Sequence, residues 1–199
     1  NCATTADCET TTCALKNGWT NDINLKGDDI DWRVLAGPAP SVSSGTGPTQ
    51  DFSPGTTTGH YLYLESDNCS AKTAHLISPC IDLTSTNNMS LKFAYHLYGS
   101  GMGSLHIDAL VNDVWMLDIA PAISGNQGNS WKSQTIALSS FNGKLINLRF
   151  RGITGTNGTS DMAIDAIRIA APNTVATLNE EPLLTIAPNP SQDLFNLSL

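Results

Sequence analysis

The chain has 199 residues, 40% of them hydrophobic and only 14% charged, with a net charge of −8. That length suits one domain with an appendage. Its 10 lysines and arginines fall short of the basic footprint needed for phosphate backbones or anionic lipid. No apolar run approaches the ~20 residues of a membrane-crossing helix. Neither a nucleic-acid partner nor a membrane span is expected.

Residues 1–18 are polar and threonine-rich and carry Cys2, Cys8 and Cys13; they read as a linker stapled to the first strand. Starting at Asn1 without a signal peptide, the chain reads as a processed or excised piece of a larger protein. With Cys69 and Cys80 the cysteines number five, and no CxxC or zinc-finger spacing occurs among them. Disulfides in an oxidising compartment are the expectation. Cys69 and Cys80 flank one short segment and are candidates to pair; a second bridge would join two of the N-terminal three, Cys8–Cys13 being preferred.

Residues 37–55, rich in Gly, Pro, Ser and Thr, predict a long loop. Strands are then expected over 60–64, 74–77, 89–98, 104–111, 114–119, 132–138, 144–151 and 163–169, punctuated by Gly99-Ser100-Gly101, Asn112-Asp113 and Gly125 to Asn129. The strands from 89 to 119 suggest a meander. No amphipathic helix is visible, so the pattern indicates a β-sandwich or barrel. Residues 172–183 read as a linker, followed by a new apolar stretch from Leu183.

Recognisable motifs stand in series from Trp19 to Ile169: Gly18-Trp19, Asp29-Ile30-Asp31-Trp32, Gly45-Thr46-Gly47-Pro48, Gly59-His60-Tyr61-Leu62-Tyr63-Leu64-Glu65, Ala74-His75-Leu76-Ile77-Ser78-Pro79, Phe93-Ala94-Tyr95-His96-Leu97-Tyr98-Gly99 and Ser160-Asp161-Met162-Ala163-Ile164-Asp165. In this order they resemble a MAM domain, the extracellular module named after meprin and receptor tyrosine phosphatases. The resemblance implies that residues 19–171 form an all-β, jelly-roll-like sandwich of two antiparallel sheets. It also implies adhesion or recognition without intrinsic catalysis. One departure stands out: the family's Phe-Glu before the Gly-Trp is absent, Thr12-Cys13-Ala14 occupying that neighbourhood. Residues 184–199, with Ala187-Pro188-Asn189-Pro190, resemble the opening of a type IX secretion sorting domain, implying a secreted or cell-surface protein and engagement of that machinery.

Candidate sites follow from spacing. Asp28, Asp29 and Asp31 precede Trp32, and Asp161 and Asp165 flank Met162-Ala163-Ile164. Calcium takes six to eight oxygen ligands, largely carboxylates and carbonyls, so two such clusters meeting across a sandwich could hold a structural Ca2+, with Asp29, Asp31 and Asp165 as its ligands. Turn capping is the plainer role for the same carboxylates. Period-two reading puts His96 with Tyr98, His106 with Asp108, and Arg149 with Arg151. On neighbouring strands these six would form an aromatic and charged ligand-binding surface, able to take sugar hydroxyls directly or carboxylates and sulfates through arginine forks. Trp19 and Trp32 are expected in the core; Trp115 and Trp131 are the more open tryptophans. No HExxH, GxSxG or P-loop motif occurs. The expectation is a non-catalytic module of a larger secreted bacterial protein, a peptidase or polysaccharide-degrading enzyme, whose partner is an extracellular protein or a glycan. A dedicated carbohydrate-binding module is the alternative.

Overall fold

The structure, a computed structural model, describes residues 15–41 and 43–171. Residues 1–14 and 172–199, and with them Cys2, Cys8, Cys13 and the sorting-signal motif, lie outside the described residues. Among the described residues twelve strands divide between two antiparallel sheets. The larger runs β1 (Thr20–Asn21), β4 (Thr73–Ile77), β11 (Leu145–Ile153), β7 (Ser104–Val111), β8 (Val114–Met116), with β5 (Ile81–Asp82) beside β11 and β9 (Ile123–Ser124) beside β7. The smaller runs β10 (Lys132–Ala137), β6 (Ser90–Leu97), β12 (Met162–Ala170), β3 (His60–Leu64), β2 (Arg33–Ala36). The one helical element among the described residues is a 3-10 turn, Ser139–Phe141. This is the expected sandwich of two antiparallel sheets.

Alternation in each strand builds the core. Leu148 and Phe150 of β11, Leu105, Ile107 and Ala109 of β7, and Leu91, Phe93 and Leu97 of β6 all point inward and are buried. Phe93 and Phe150 meet edge to face across the gap, with ring centroids 5.1 Å apart; such a pair adds about 0.5–1.5 kcal/mol beyond its buried area. Trp32 is fully buried, as expected, whereas Trp19 is only half-buried beside Phe150. The inward position on β11 next to Trp32 is Gly152. A Cβ there would stand 2.7 Å from Leu64 and 2.9 Å from Trp32. Gly152→Val is therefore expected to cost about 1–3 kcal/mol by overpacking, read as a lower urea midpoint at an unchanged m-value.

The meander expected from 89 to 119 is broken. After β6 the chain leaves the five-stranded sheet and enters the seven-stranded one at β7. The crossing is a tight backbone contact: a Cβ on Gly99, at φ +148°, would collide with the Thr159 carbonyl oxygen. One on Gly103 would collide with the Ile153 carbonyl oxygen. The expected Cys69–Cys80 bridge is also absent. Cys80 is a free, exposed thiol, while Cys69 is buried and disulfide-bonded elsewhere. Closeness in sequence does not bring them together, because β4 lies between them and carries the chain the length of the sheet.

Residues 37–41 and 43–59 form a strap over the outer face of the five-stranded sheet. Beneath it lies a second, smaller apolar cluster of Leu35, Tyr61, Tyr63 and Ala163, edged by Ala39 and Trp131. The strap is fastened by polar bonds from the sheet. Tyr61 donates to the Gly37 carbonyl at 2.8 Å; Asp67 accepts from Ser41 and Ser43; the Asp161 N–H donates to Thr46 at 3.0 Å. At one end of the strap Asp161 and Glu65 sit together, exposed by 0% and 1%. Glu65 accepts from the Tyr63 hydroxyl at 2.8 Å, and Asp161 accepts from the Ser66 N–H and hydroxyl. Burial, then the charge of Glu65 and its hydrogen bond, push the Asp161 pKa up to about 7.

Candidate recognition face

The outer face of the seven-stranded sheet is built around Asp108. It stands opposite Arg149 in the β7–β11 register, with His106 opposite Arg151 and His75 of β4 on the other side of Arg151. Asp108 is fully buried. Its Oδ2 accepts from Arg149 Nε and Nη2 at 2.9 and 2.7 Å and from Arg151 Nε at 2.9 Å. Its Oδ1 accepts from Arg151 Nη2 at 3.1 Å and from the Asp118 N–H at 2.9 Å. Burial alone would raise the Asp108 pKa, but the bonds from Arg151, the Asp118 N–H and Arg149 outweigh it and hold the pKa at about 2.

Around this centre the network closes. Asp118 also accepts from Arg151 at 3.2 Å and pairs with His106 Nδ1 at 2.6 Å. The other His106 nitrogen meets the Ser104 hydroxyl at 2.8 Å. The Arg149 guanidinium lies 4.1 Å over the Trp115 ring, a cation–π contact that also fixes the indole. His75 Nδ1 pairs with Asp22 at 3.2 Å; burial pulls the His75 pKa down, opposed by Asp22 and reinforced by the two arginines.

The structure therefore brings together four of the six expected ligand-binding residues, His106, Asp108, Arg149 and Arg151, and separates the other two. His96 belongs to β6 and Tyr98 follows it, on the opposite sheet; the chain crosses between sheets after Tyr98, so the six share no surface. The arginine forks are already occupied by Asp108 and Asp118. They act as a rigid support under the face, and no free fork stands ready for a carboxylate or sulfate.

The expected calcium ligands are dispersed. Asp29 accepts from the Thr73 N–H at 2.9 Å at the head of β4, near Lys72. Asp165 accepts from the Phe52 and Ser53 N–H groups at 2.9 and 3.1 Å and from Ala166, anchoring the strap. Asp31 is buried beside Trp32 in sequence. Among the described residues no three His, Cys, Asp or Glu side chains form a group able to hold a metal ion.

The apolar edge of the sheet beside this face was not read from the sequence. Val114, Met116 and Leu117 are exposed by 64%, 48% and 60%; the first two lie on the edge strand β8, paired with the inward Val111 and Ala109, and point to the side opposite Trp115. The signal was present: Val114-Trp115-Met116-Leu117 is an unbroken apolar run directly after a turn, where alternation would be expected. A cleft of about 210 Å³ also opens where β12 bulges away from β3, lined by Trp19, Leu62 and Ile164. It is smaller than the ~300–1,000 Å³ of typical small-molecule sites. Among the described residues no helix is long and apolar enough to cross a membrane.

The described residues thus form a two-sheet sandwich whose larger sheet has an outer face supported by a buried ion-pair network. The model of the MAM domain, meprin/A5/mu, matches residues 7–174, and the chain belongs to that family. It is 31% identical over 157 residues to human MAM domain-containing glycosylphosphatidylinositol anchor protein 1, covering 76% of this chain and 16% of that protein. It is 31% identical over 160 residues to Neuropilin-1 of Xenopus laevis, covering 76% of the chain and 15% of the relative. The chain thus spans about one sixth of the length of these relatives. Among solved structures, the K1 cleaved adhesin domain of Lys-gingipain from Porphyromonas gingivalis W83 is similar at 21% identity and a TM-score of 0.44, over 77% of this chain and 90% of that one.

Proposed function

We propose that the chain is a non-catalytic recognition module of a larger extracellular protein, and that it binds a protein partner through the β8 edge of the seven-stranded sheet and the outer face that adjoins it. The observation that carries this reading is the distribution of exposed apolar side chains. Of the exposed large hydrophobic residues among those described, Ile23, Leu25, Val114, Met116, Leu117 and Leu145 lie on or beside that sheet, and Phe52 lies on the strap over the other. Soluble domains rarely gather such residues without a partner to cover them. The Arg149–Trp115 stack between them is the kind of rigid aromatic and arginine pair that dominates interface energetics. A secreted bacterial parent, a peptidase or polysaccharide-degrading enzyme exported by type IX secretion, belongs to the same proposal and is supported by the motif at residues 184–199 alone.

The test uses purified extracellular domains immobilised for kinetic binding. The 199-residue chain is expected to bind at least one of them. The double variant Val114→Asp/Leu117→Asp should lose at least tenfold in affinity, a factor worth about 1.4 kcal/mol, with its melting temperature unchanged. Undiminished binding by the double variant would contradict the assignment of this face.

A further inference from the structure

The opposite sheet carries a second surface of different chemistry. Trp131 immediately precedes β10 and is half-exposed. Its indole N–H donates to the Gln50 carbonyl of the strap at 3.0 Å, which fixes the ring. Phe52, 40% exposed, lies 6.1 Å away at 58°. His96 lies 5.6 Å from Trp131 on the other side, and the half-exposed Tyr98 ring lies 6.3 Å beyond His96. Phe52, Trp131, His96 and Tyr98 thus make a continuous row of rings along the margin of the strap.

The polar groups beside the row are neutral. Asn129 is exposed and its Oδ1 pairs with His96 Nε2 at 3.2 Å. Burial holds the His96 pKa below its ordinary value, so the ring is uncharged at neutral pH. His96 is itself only 2% exposed, and its Nδ1 has no hydrogen-bond partner. Of the carboxylates on the strap side, Asp165 is occupied by the Phe52 and Ser53 N–H groups, and Asp51, beside Phe52 in the chain, is buried and accepts from the Gly55 and Thr56 N–H groups.

We infer that this row is a binding shelf for a neutral saccharide, with the faces of Trp131 and Tyr98 stacking on pyranose rings and the Asn129 amide and Tyr98 hydroxyl bonding to sugar hydroxyls. The chemistry matches the ligand. A sugar ring offers apolar C–H faces and uncharged hydroxyls, and it is met by aromatic faces with a wet edge and by groups that both donate and accept. Ring order imposed by the strap removes much of the entropic penalty of binding. The lack of a free charge on the row disfavours an anionic glycan.

The experiment is affinity electrophoresis of the full chain in gels containing a soluble β-glucan, a β-galactan, a xylan or a galactomannan, with heparin as the charged comparator. At least one neutral polysaccharide should retard the chain. Trp131→Ala and Phe52→Ala should each weaken that retardation at least tenfold, while the Val114→Asp/Leu117→Asp variant should be retarded like the parent. Phe52 is exposed on the strap, so its variant keeps the test valid even if Trp131→Ala unfolds. Retardation by heparin alone, by no polysaccharide, or by a neutral one equally in parent and Phe52→Ala would overturn the proposal, without bearing on the protein-binding face of the other sheet.

Discussion

Replacing Asp108 with alanine is expected to destabilise the fold by about 3–5 kcal/mol, because removing one partner of a buried ion pair leaves the other charge uncompensated. Here Arg149, its side chain only 9% exposed, loses its carboxylate, and Arg151, 15% exposed, keeps only Asp118. For a domain of this size each kcal/mol lowers the melting temperature by about 2–4 °C, so a drop of about 10 °C is expected in a thermal melt. The Asp118 N–H loses its acceptor as well, which should free the segment after β8 and loosen the Trp115 face. Asp108→Asn keeps an acceptor for that N–H and should fall between parent and alanine variant. Asp113→Ala, at an exposed turn position with φ +63°, should cost only about 1 kcal/mol, from the left-handed backbone alone. The pH dependence has a definite sign. With its folded pKa held at about 2 against an ordinary 3.8, Asp108 stabilises the fold above pH 4. That contribution is lost as pH falls through 2, and the acid limb should be shallower in Asp108→Asn.

Asp161 is expected to act in the opposite sense. Its folded pKa is raised from 3.8 to about 7, by burial first and then by Glu65. Its contribution is fully present below pH 3.8 and is lost as pH rises through 7. Urea melts should therefore show a lower midpoint at pH 9 than at pH 5. Asp161→Asn removes the ionisation, keeps an acceptor for the two Ser66 donors and offers an N–H to Glu65. It should hold its midpoint between pH 5 and 9 far better than the parent. A smaller slope should remain from Asp28, whose pKa burial raises to about 6. An Asp161→Asn variant that loses stability with pH as steeply as the parent would show that the carboxyl pair is not the source.

The sandwich was legible in the chain because inward positions repeat every two residues wherever a strand is long. Leu105-His106-Ile107-Asp108 and Leu148-Arg149-Phe150-Arg151 sort their side chains to the faces the structure shows. The two-residue strands β1, β5 and β9 carry no period of their own and exist through their partners' hydrogen bonds. Nor does alternation say whether the next strand pairs beside its predecessor or crosses to the other sheet. That is why His96 and Tyr98 were grouped with residues on the opposite face. The state of the arginines depended on a register. Only the pairing of Asp108 with Arg149 turns two expected ligand forks into a buried support. The strap hid the remaining signal: Tyr61 and Tyr63 point outward yet are buried, because a loop recognised only as Gly- and Pro-rich lies over them.

The central claim is that the β8 edge of the seven-stranded sheet, with the outer face beside it, is where a protein partner sits. Met116 offers a direct report, being a half-exposed thioether on that edge strand. Oxidative footprinting of the chain, alone and saturated with an extracellular domain that it binds, should show Met116 protected in the complex while Trp131 and Phe52 on the other sheet react as before. Equal oxidation of Met116 in both states, with protection confined to the strap side, would contradict the account.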